Sequence, residues 1–237
     1  MEIEKGFEII DLCLYIKKYK ILVIADIHLG YEESLNQRGV LIPRMQFKDT
    51  YERIEKILNN NDIETVVVTG DLKHEFGIIN RTEWDNILKI IDLFLKYSKK
   101  LVIIKGNHDV ALPFIAKKKG IELSEYYKID DIFVCHGDEI IDNDDFRKCN
   151  IVIIGHEHPA IGFRDKSKYE NFKCFLKGKY LDKMLIVLPS FNTLTIGTDV
   201  LRNKLLSPFL HQDLKNFKAY VMENNKIYDF GKLNKFK

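Results

Sequence analysis

Five runs of four to six mostly apolar, mostly β-branched residues each end on a short segment of metal-ligand side chains. In order these are Asp26-Ile27-His28, Gly70-Asp71, Gly106-Asn107-His108-Asp109, Cys135-His136-Gly137-Asp138 and Gly155-His156-Glu157-His158. Short unbroken runs of Val and Ile bounded by turn residues are the pattern of strands covered on both faces. The runs give candidate strands at Ile21–Ala25, Thr65–Thr69, Leu101–Lys105, Ile132–Cys135 and Ile151–Ile154. Five strands therefore end, and each end presents an oxygen or imidazole ligand. In an open α/β sheet, ligands bind outside the carboxyl ends of the strands. The chain is constrained to a fold that gathers those ends on one rim.

The segments between the runs agree with this. Met45–Asn59 carries Phe47, Tyr51, Ile54, Ile57 and Leu58 at helical spacing. Thr82–Tyr97 does the same with Trp84, Ile87, Leu88, Ile91, Leu93, Phe94 and Leu95, and Asn80 or Thr82 suits its N-cap. Strand–helix–strand–helix–strand implies right-handed crossovers and parallel pairing. The second half reads as shorter strands with hairpin spacing: Ile161–Arg164, Phe172–Leu176, Met184–Leu188, Ala219–Glu223 and Lys226–Phe230, with Asn224-Asn225 as a tight turn. The expectation is an α/β protein, a four-layer αββα sandwich of two mixed β-sheets flanked by helices.

With 237 residues, 46% of them hydrophobic, the chain can form one large domain over 1–237 with a sizeable core. No apolar run approaches the roughly 20 residues of a membrane span, so no membrane partner is expected. Met1-Glu2-Ile3-Glu4-Lys5-Gly6 lacks a basic-then-apolar leader, which points to the cytoplasm. The net charge of +2 neither demands nor excludes nucleic acid. Cys13, Cys135, Cys149 and Cys174 have no CxxC spacing, so they read as free buried thiols.

The ligand set itself carries chemistry. Asp26 and His28, two residues apart after a strand, can both face the rim and grip one metal. Asp71 is a hard anionic ligand suited to bridge two cations. Asn107 offers a neutral carbonyl oxygen. His136, His156 and His158 supply imidazoles, the last two able to serve different metals from one loop. Mixed oxygen and nitrogen ligation suits manganese, iron, zinc, cobalt or nickel rather than calcium. Two cations held about 3.5–4 Å apart recur in the cleavage of phosphate esters. A single Asp-x-His or His-x-His arises often by chance, but five such motifs in order, each after a strand, do not. Five of the seven histidines fall inside them, and His74 and His211 lie outside.

The series DxH, GD, GNHD, a histidine after the fourth strand, and GHxH resembles the signature of the calcineurin-like metallophosphoesterase superfamily. Within it the chain is most similar to the SbcD-related, archaeal-type phosphoesterases, on the segments Gly70-Asp71-Leu72-Lys73-His74-Glu75-Phe76 and Leu188-Pro189-Ser190-Phe191-Asn192. The resemblance implies roles. Asp26, His28, Asp71 and His158 match ligands of a first metal. Asp71, Asn107, His136 and His156 match those of a second, with Asp71 bridging. His108 matches the general acid and Asp109 its orienting partner. Many relatives have an acid where His74 stands, so His74 is a candidate for substrate contact, ligand support or plain packing.

The function so implied is hydrolysis of a phosphodiester bond by a hydroxide bridging two divalent metals, most naturally Mn2+. DNA or RNA ends and small cyclic or linear diesters are the candidate substrates. Arg38 and Arg44, in the Gly30–Gln46 loop after the first ligands, are candidate phosphate contacts. The extra capping domain of the large SbcD-type nucleases is not expected. Two alternatives stay open: a phosphomonoesterase acting on a nucleotide or small phosphate, and a non-catalytic scaffold on the same fold.

Overall fold

The structure is a computed structural model that describes residues 1–40, 45–74, 81–109, 112–165, 168–224 and 226–235. Among these residues the strands form two sheets. The first holds seven, in sequence order: β1 (Glu2–Glu4), β2 (Phe7–Ile10), β3 (Cys13–Ile16), β4 (Ile21–Ile24), β5 (Thr65–Val68), β6 (Lys100–Ile104) and β7 (Glu122–Ser124). β1 to β4 pair antiparallel as a meander, and β4 to β7 pair parallel. Helices make the parallel crossovers. α1 (Tyr31–Gln37) and α2 (Gln46–Asn59) link β4 to β5, α3 (Arg81–Tyr97) links β5 to β6, and α4 (Leu112–Lys119) links β6 to β7.

The second sheet contains β8 (Tyr126–Ile129), β9 (Ile132–Cys135) and, after the short helix α5 (Asp144–Lys148), β10 (Ile151–Ile154). It continues with β11 (Pro159–Asp165), β12 (Lys168–Tyr180), β13 (Lys183–Val187), β14 (Thr198–Asp199), β15 (Lys218–Glu223) and β16 (Lys226–Lys232). The order is β14-β11-β12-β13-β10-β9-β8, with β15 on β12 and β16 on β15. β9, β10 and β13 run parallel, as do β11 and β14, and the other pairs are antiparallel. Both sheets are mixed.

Side-chain alternation along each central strand explains why these runs are apolar throughout. Val23, Val67 and Val102 enter the core shared with Val134, Ile153 and Ile186 of the second sheet. Their neighbours Leu22, Val66 and Leu101 pack on Ile54, Ile87 and Ile91 of the covering helices. Phe133, Val152 and Leu185 on the far face of the second sheet meet Phe146 of α5 and Phe209 and Phe217 of the segment before β15. Both faces of these strands are covered, so all but their first positions are uniformly apolar. The layers are the expected ones, helix, sheet, sheet and an outer cover, the last thinner and partly irregular.

Three of the five strands that lead into ligand motifs stop one residue short of the sequence expectation, because the chain turns out of the ladder just before the ligands. α3 begins at Arg81, which places Thr82 inside its first turn. Asn80 lies outside the described residues, as does Asn225, whose neighbour Asn224 has the positive φ of 49° expected of a tight turn. α1, within the Gly30–Gln46 segment that follows the first ligands, is locked to α2. Gln46 donates its backbone N–H to Glu32 Oε2 at 2.8 Å, and Glu32 returns its own to Gln46 Oε1 at 3.2 Å.

Candidate metal centre

β4, β5 and β6 of the first sheet and β9 and β10 of the second point their carboxyl ends at one rim. The turns there are unusual. Asp26, His28, Asp71, His156 and His158 have φ of 53°, 47°, 49°, 64° and 50°. They make up half of the ten non-glycine residues with positive φ among the described residues. Such a conformation costs of order 1–3 kcal/mol and is held only where surrounding contacts dictate it. Two glycines leave room for the ligands. A Cβ on Gly70, whose φ is +86°, would collide with His136 Nδ1 and lie 2.9 Å from Gly106 Cα. A Cβ on Gly106 would collide with Asp71 Oδ1 and lie 2.5 Å from Asp71 N.

The acid-bearing side chains gather in two adjoining clusters, each drawing on both sheets, and His28, His74 and His108 form a third, all-imidazole group. Asp26, His28 and His158 form one, and Asp71, His136 and His156 the other; within each, one ligand atom per residue lies within 4.8 Å of the others. In the first, His28 Nε2 and His158 Nε2 are 3.2 Å apart, and Asp26 Oδ1 is 3.5 Å from His158 Nε2. In the second, His136 Nε2 is 3.2 Å from His156 Nδ1, 3.1 Å from Asn107 Oδ1 and 3.5 Å from Asp71 Oδ2. Asp71 Oδ2 also stands 3.8 Å from His28 Nε2, so it lies between the clusters. Asp26 Oδ1 is buried and has no hydrogen-bond partner. A buried anionic oxygen without a donor, beside converging imidazole nitrogens, fits a divalent cation.

Orientation and charge agree with that fit. His136 Nδ1 donates to the Thr69 carbonyl at 2.8 Å, which leaves Nε2 free to face the cluster. Burial lowers His28 to about 2. Burial, aided by the charge of His136, lowers His156 to about 4. Both are therefore neutral at pH 7, as a metal ligand must be. Burial alone would raise Asp26, but the facing imidazoles, His158 foremost, reverse this and hold it at about 2. Burial raises Asp71 to about 6, with His136 offsetting part of the shift. His136 moves up despite its burial, because Asp26 and Asp71 favour positive charge beside them.

Asp71 Oδ1 accepts the His108 backbone N–H at 3.0 Å, and His108 Nε2 is 3.9 Å from Asp71 Oδ2. The other nitrogen of the His108 ring, Nδ1, bonds to the backbone carbonyl of His74. The His74 carbonyl thus holds one side of the His108 ring. The carboxylate of Asp109 instead accepts backbone N–H groups from Leu72 at 3.1 Å, Lys73 at 3.4 Å and Gly106 at 3.1 Å, tying the second and third motif loops together. Burial and then the charge of Asp71 raise Asp109 to about 7.

His74 sits at the edge of the site, its ring centroid 4.4 Å from Tyr31, 5.4 Å from His28 and 5.6 Å from His108. Arg38 is exposed at the C-terminal end of α1 and makes no hydrogen bond or ion pair to the site among the described residues. Arg44 lies outside the described residues, as do Glu75 and Phe76. His211 is exposed, its Nε2 bonded to the Leu205 carbonyl at 3.0 Å. Several surface lysines pair with acids: Lys17 with Glu8, Lys18 with Asp130, Lys99 with Glu64, Lys100 with Glu122 and Lys119 with Asp92. The four cysteines are free and buried.

A cleft of about 310 Å³ opens beside the second cluster, lined by Lys105, Asn107, Glu125, His136, Asp138 and Glu139. A larger open groove of about 600 Å³ runs along α2 around Arg53 and Asp11, but it contains no imidazole, whereas Asn107 and His136 line the smaller cleft. Sequence reasoning missed Lys105, although it directly precedes the third motif. It also missed the Thr69 and His74 carbonyls, the acceptors that orient His136 and His108, because a backbone contact leaves no mark on residue type.

A family model for calcineurin-like phosphoesterases matches residues 19–185. The chain belongs to the calcineurin-like phosphoesterase family, whose members use divalent metals. Among solved structures, it is similar to the nuclease MPE of Pseudomonas putida, with 20% identity and a TM-score of 0.65 over 94% of this chain and 93% of that one. It also matches Vacuolar Protein Sorting 29 of Cryptosporidium parvum, with 17% identity and a TM-score of 0.41 over 90% and 97% of the two chains. The Vps29 D62A mutant of Entamoeba histolytica aligns with 17% identity and a TM-score of 0.38 over 89% and 99%. The first likeness shows the fold, and the two weaker ones support no argument. No curated protein matches the chain. Among the described residues no helix is long and apolar enough to cross a membrane.

Proposed function

We propose that this protein is a two-metal phosphodiesterase. The observation that carries the reading is Asp71 Oδ2, which lies 3.5 Å from His136 Nε2 and 3.8 Å from His28 Nε2, between two clusters of mixed oxygen and nitrogen donors. In this reading Asp26, His28, Asp71 and His158 hold one cation, and Asp71, Asn107, His136 and His156 hold the other. Manganese suits such a donor set, with iron, zinc, nickel or cobalt as competitors. Two divalent cations, when bound, supply Lewis acidity toward a phosphoryl group and a water activated near neutral pH.

The protein's own residues do the rest. Thr69 fixes the tautomer of His136, and the bond from His108 Nδ1 to the His74 carbonyl turns His108 Nε2 toward the clusters. From there His108 donates its proton to the leaving oxygen, a step typically worth about 10²–10⁴-fold in rate. Burial lowers the proton affinity of this imidazole and the His74 carbonyl pulls it back up, which suits a group that must both hold and release a proton. Lys105 lines the cleft and is placed to meet an anionic substrate. Asp109 holds the loops through Leu72, Lys73 and Gly106, and its charge favours the protonated form of His108.

A nuclease of the same fold motivates DNA and RNA ends as the substrates to try, beside cyclic diesters. The subgroup placement among SbcD-related phosphoesterases belongs to the same proposal. The test is hydrolysis of bis-p-nitrophenyl phosphate against p-nitrophenyl phosphate by metal-stripped protein resupplied with Mn2+. The proposal expects preference for the diester. Preference for the monoester would move the reading to a phosphomonoesterase. Inactivity on both with two metals bound would leave only a binding role.

A further inference from the structure

The turn that carries Asp26 and His28 has left the β4 ladder, and two of its residues have positive φ, so its backbone groups need partners from elsewhere. Its N–H groups are taken by the segment after β5. Asp26 donates to the Gly70 carbonyl at 3.3 Å, and His28 to the Asp71 carbonyl at 2.9 Å. Its carbonyls are taken by a different segment, more than 160 residues away in sequence. Phe191 N donates to the Ala25 carbonyl at 2.8 Å. The Asp26 carbonyl accepts Ser190 Oγ at 2.8 Å and Asn192 N at 3.3 Å. Asn192 Nδ2 donates to both Ile27 and His28 carbonyls, each at 3.1 Å.

Asn192 is fully buried, and its amide can face only one way. Its Oδ1 accepts the N–H groups of Leu194 at 2.8 Å and Thr195 at 3.3 Å, which leaves Nδ2 for the two carbonyls. The segment is held in turn by Lys173 of β12. The buried ammonium donates to the Ser190 carbonyl at 2.7 Å, to the Asn192 carbonyl and, at 3.4 Å, to Thr195 Oγ1. An ammonium has three donors, and all three have an acceptor.

We propose that Asn192, Ser190 and Lys173 are positioning residues for the first metal site: they hold the left-handed turn Asp26–Ile27–His28 in the conformation that points both side chains at one cation. The inference rests on the metal-centre reading above. It assigns a role in metal affinity to three residues that touch no metal. Losing an outer partner of this kind costs about 10–100-fold in metal affinity.

The test is calorimetric titration of Mn2+ into metal-free protein. Asn192→Asp keeps the shape of the side chain and its bonds to Leu194 and Thr195 but removes both donors to the turn. Ser190→Ala removes one donor to the same turn. Lys173→Met removes the ammonium at similar length. Val221→Ala, in the outer core of the second sheet, serves as a control that lowers stability away from the turn.

The expected result is a loss of about 10–100-fold at one of two Mn2+ equivalents in Asn192→Asp, a smaller loss in Ser190→Ala, and wild-type affinity in Val221→Ala. Hydrogen exchange in the metal-free variant should show faster exchange at His28 and Leu29 with the central strands still protected. Two wild-type affinities in Asn192→Asp overturn the inference while leaving the metal centre standing. Equal losses in Val221→Ala also overturn it, since the effect would then follow stability alone. Failure of the wild type to bind divalent metal overturns the metal-centre reading and this inference together. If Lys173→Met does not fold, the two milder variants decide.

Discussion

Gly106→Ala tests whether the shared carboxylate is as tightly placed as its surroundings demand. Gly106 does not have positive φ, so the substitution asks only for space. Its Cβ would lie 2.5 Å from Asp71 N and would also collide with Asp71 Oδ1. An ordinary carbon contact is about 3.5 Å, so Asp71 or the Gly106 strand end must give by about 1 Å. Overpacking of this kind costs about 1–3 kcal/mol. Moving Asp71 also breaks the bond from His108 N to its Oδ1, and a bond to a charged acceptor is worth about 1.5–3 kcal/mol. The expected loss is about 3–6 kcal/mol in urea denaturation of metal-free protein. Because Asp71 lies between the clusters, Mn2+ affinity should fall at both equivalents. Gly120→Ala is the internal control. Gly120 has φ of +64° and nothing within 4 Å of its Cβ, so it bears only backbone strain, about 1–2 kcal/mol. If Gly106→Ala were no less stable than Gly120→Ala and bound Mn2+ as the wild type does, the crowding argument and the central place of Asp71 would both be wrong.

Further outcomes follow from the same geometry. Each cluster joins the two sheets, so Mn2+ at about 100 times its dissociation constant should stabilise the fold by about 2.7 kcal/mol per site, and a chelator should return the melting temperature to the metal-free value; no shift on adding metal would refute the clusters as binding sites. Asp71 keeps its proton up to about pH 6 in metal-free protein, so a cation must displace that proton. Mn2+ affinity should therefore fall by up to about tenfold per pH unit for this proton below pH 6, and displacement of the proton from His136, which Asp26 and Asp71 hold up, carries the dependence to higher pH; a flat calorimetric profile from pH 5 to 7.5 would contradict this. His108→Ala should retain both metals yet lose about 10²–10⁴-fold in turnover of an unactivated diester, with a much smaller loss on an aryl ester whose leaving group needs no proton; wild-type turnover of the unactivated diester would remove His108 from the acid role.

The elements legible in the sequence are those whose burial is complete. β4, β5, β6, β9 and β10 are covered on both faces, so their apolar runs are unbroken and their ends stand out against the polar ligands. The meander β1 to β3 was not legible, because β1 and β2 interleave glutamates with apolar residues and β3 is a short run with no ligand motif behind it. α1 hid for a different reason: its buried positions include Glu32 and Ser34, so no apolar stripe marks it. At the site, the sequence marks the side chains that face the clusters, since residue type and spacing record them. It does not mark Thr69 or the His74 carbonyl, which act through the main chain. Nor does it mark Lys173, whose partners Ser190 and Asn192 are brought to it by the pairing of β12 with β13 rather than by any local pattern.

The left-handed turns carry a consequence for how such a site can change. Asp, Asn and His are the non-glycine residues most at ease with positive φ, and they are also three of the side chains best able to ligate a divalent cation. At Asp26, His28, Asp71, His156 and His158 the demands of the main chain and of the metal therefore select from the same short list. An exchange among these three residue types leaves the backbone undisturbed and alters only the hardness and charge of the donor. Glu, Cys or a β-branched residue would pay in conformation before any question of ligation arose. On the proposed metal-centre reading, the ligand set is evolvable along one narrow axis: metal preference can drift by single substitutions within that alphabet, while the turn geometry stays fixed.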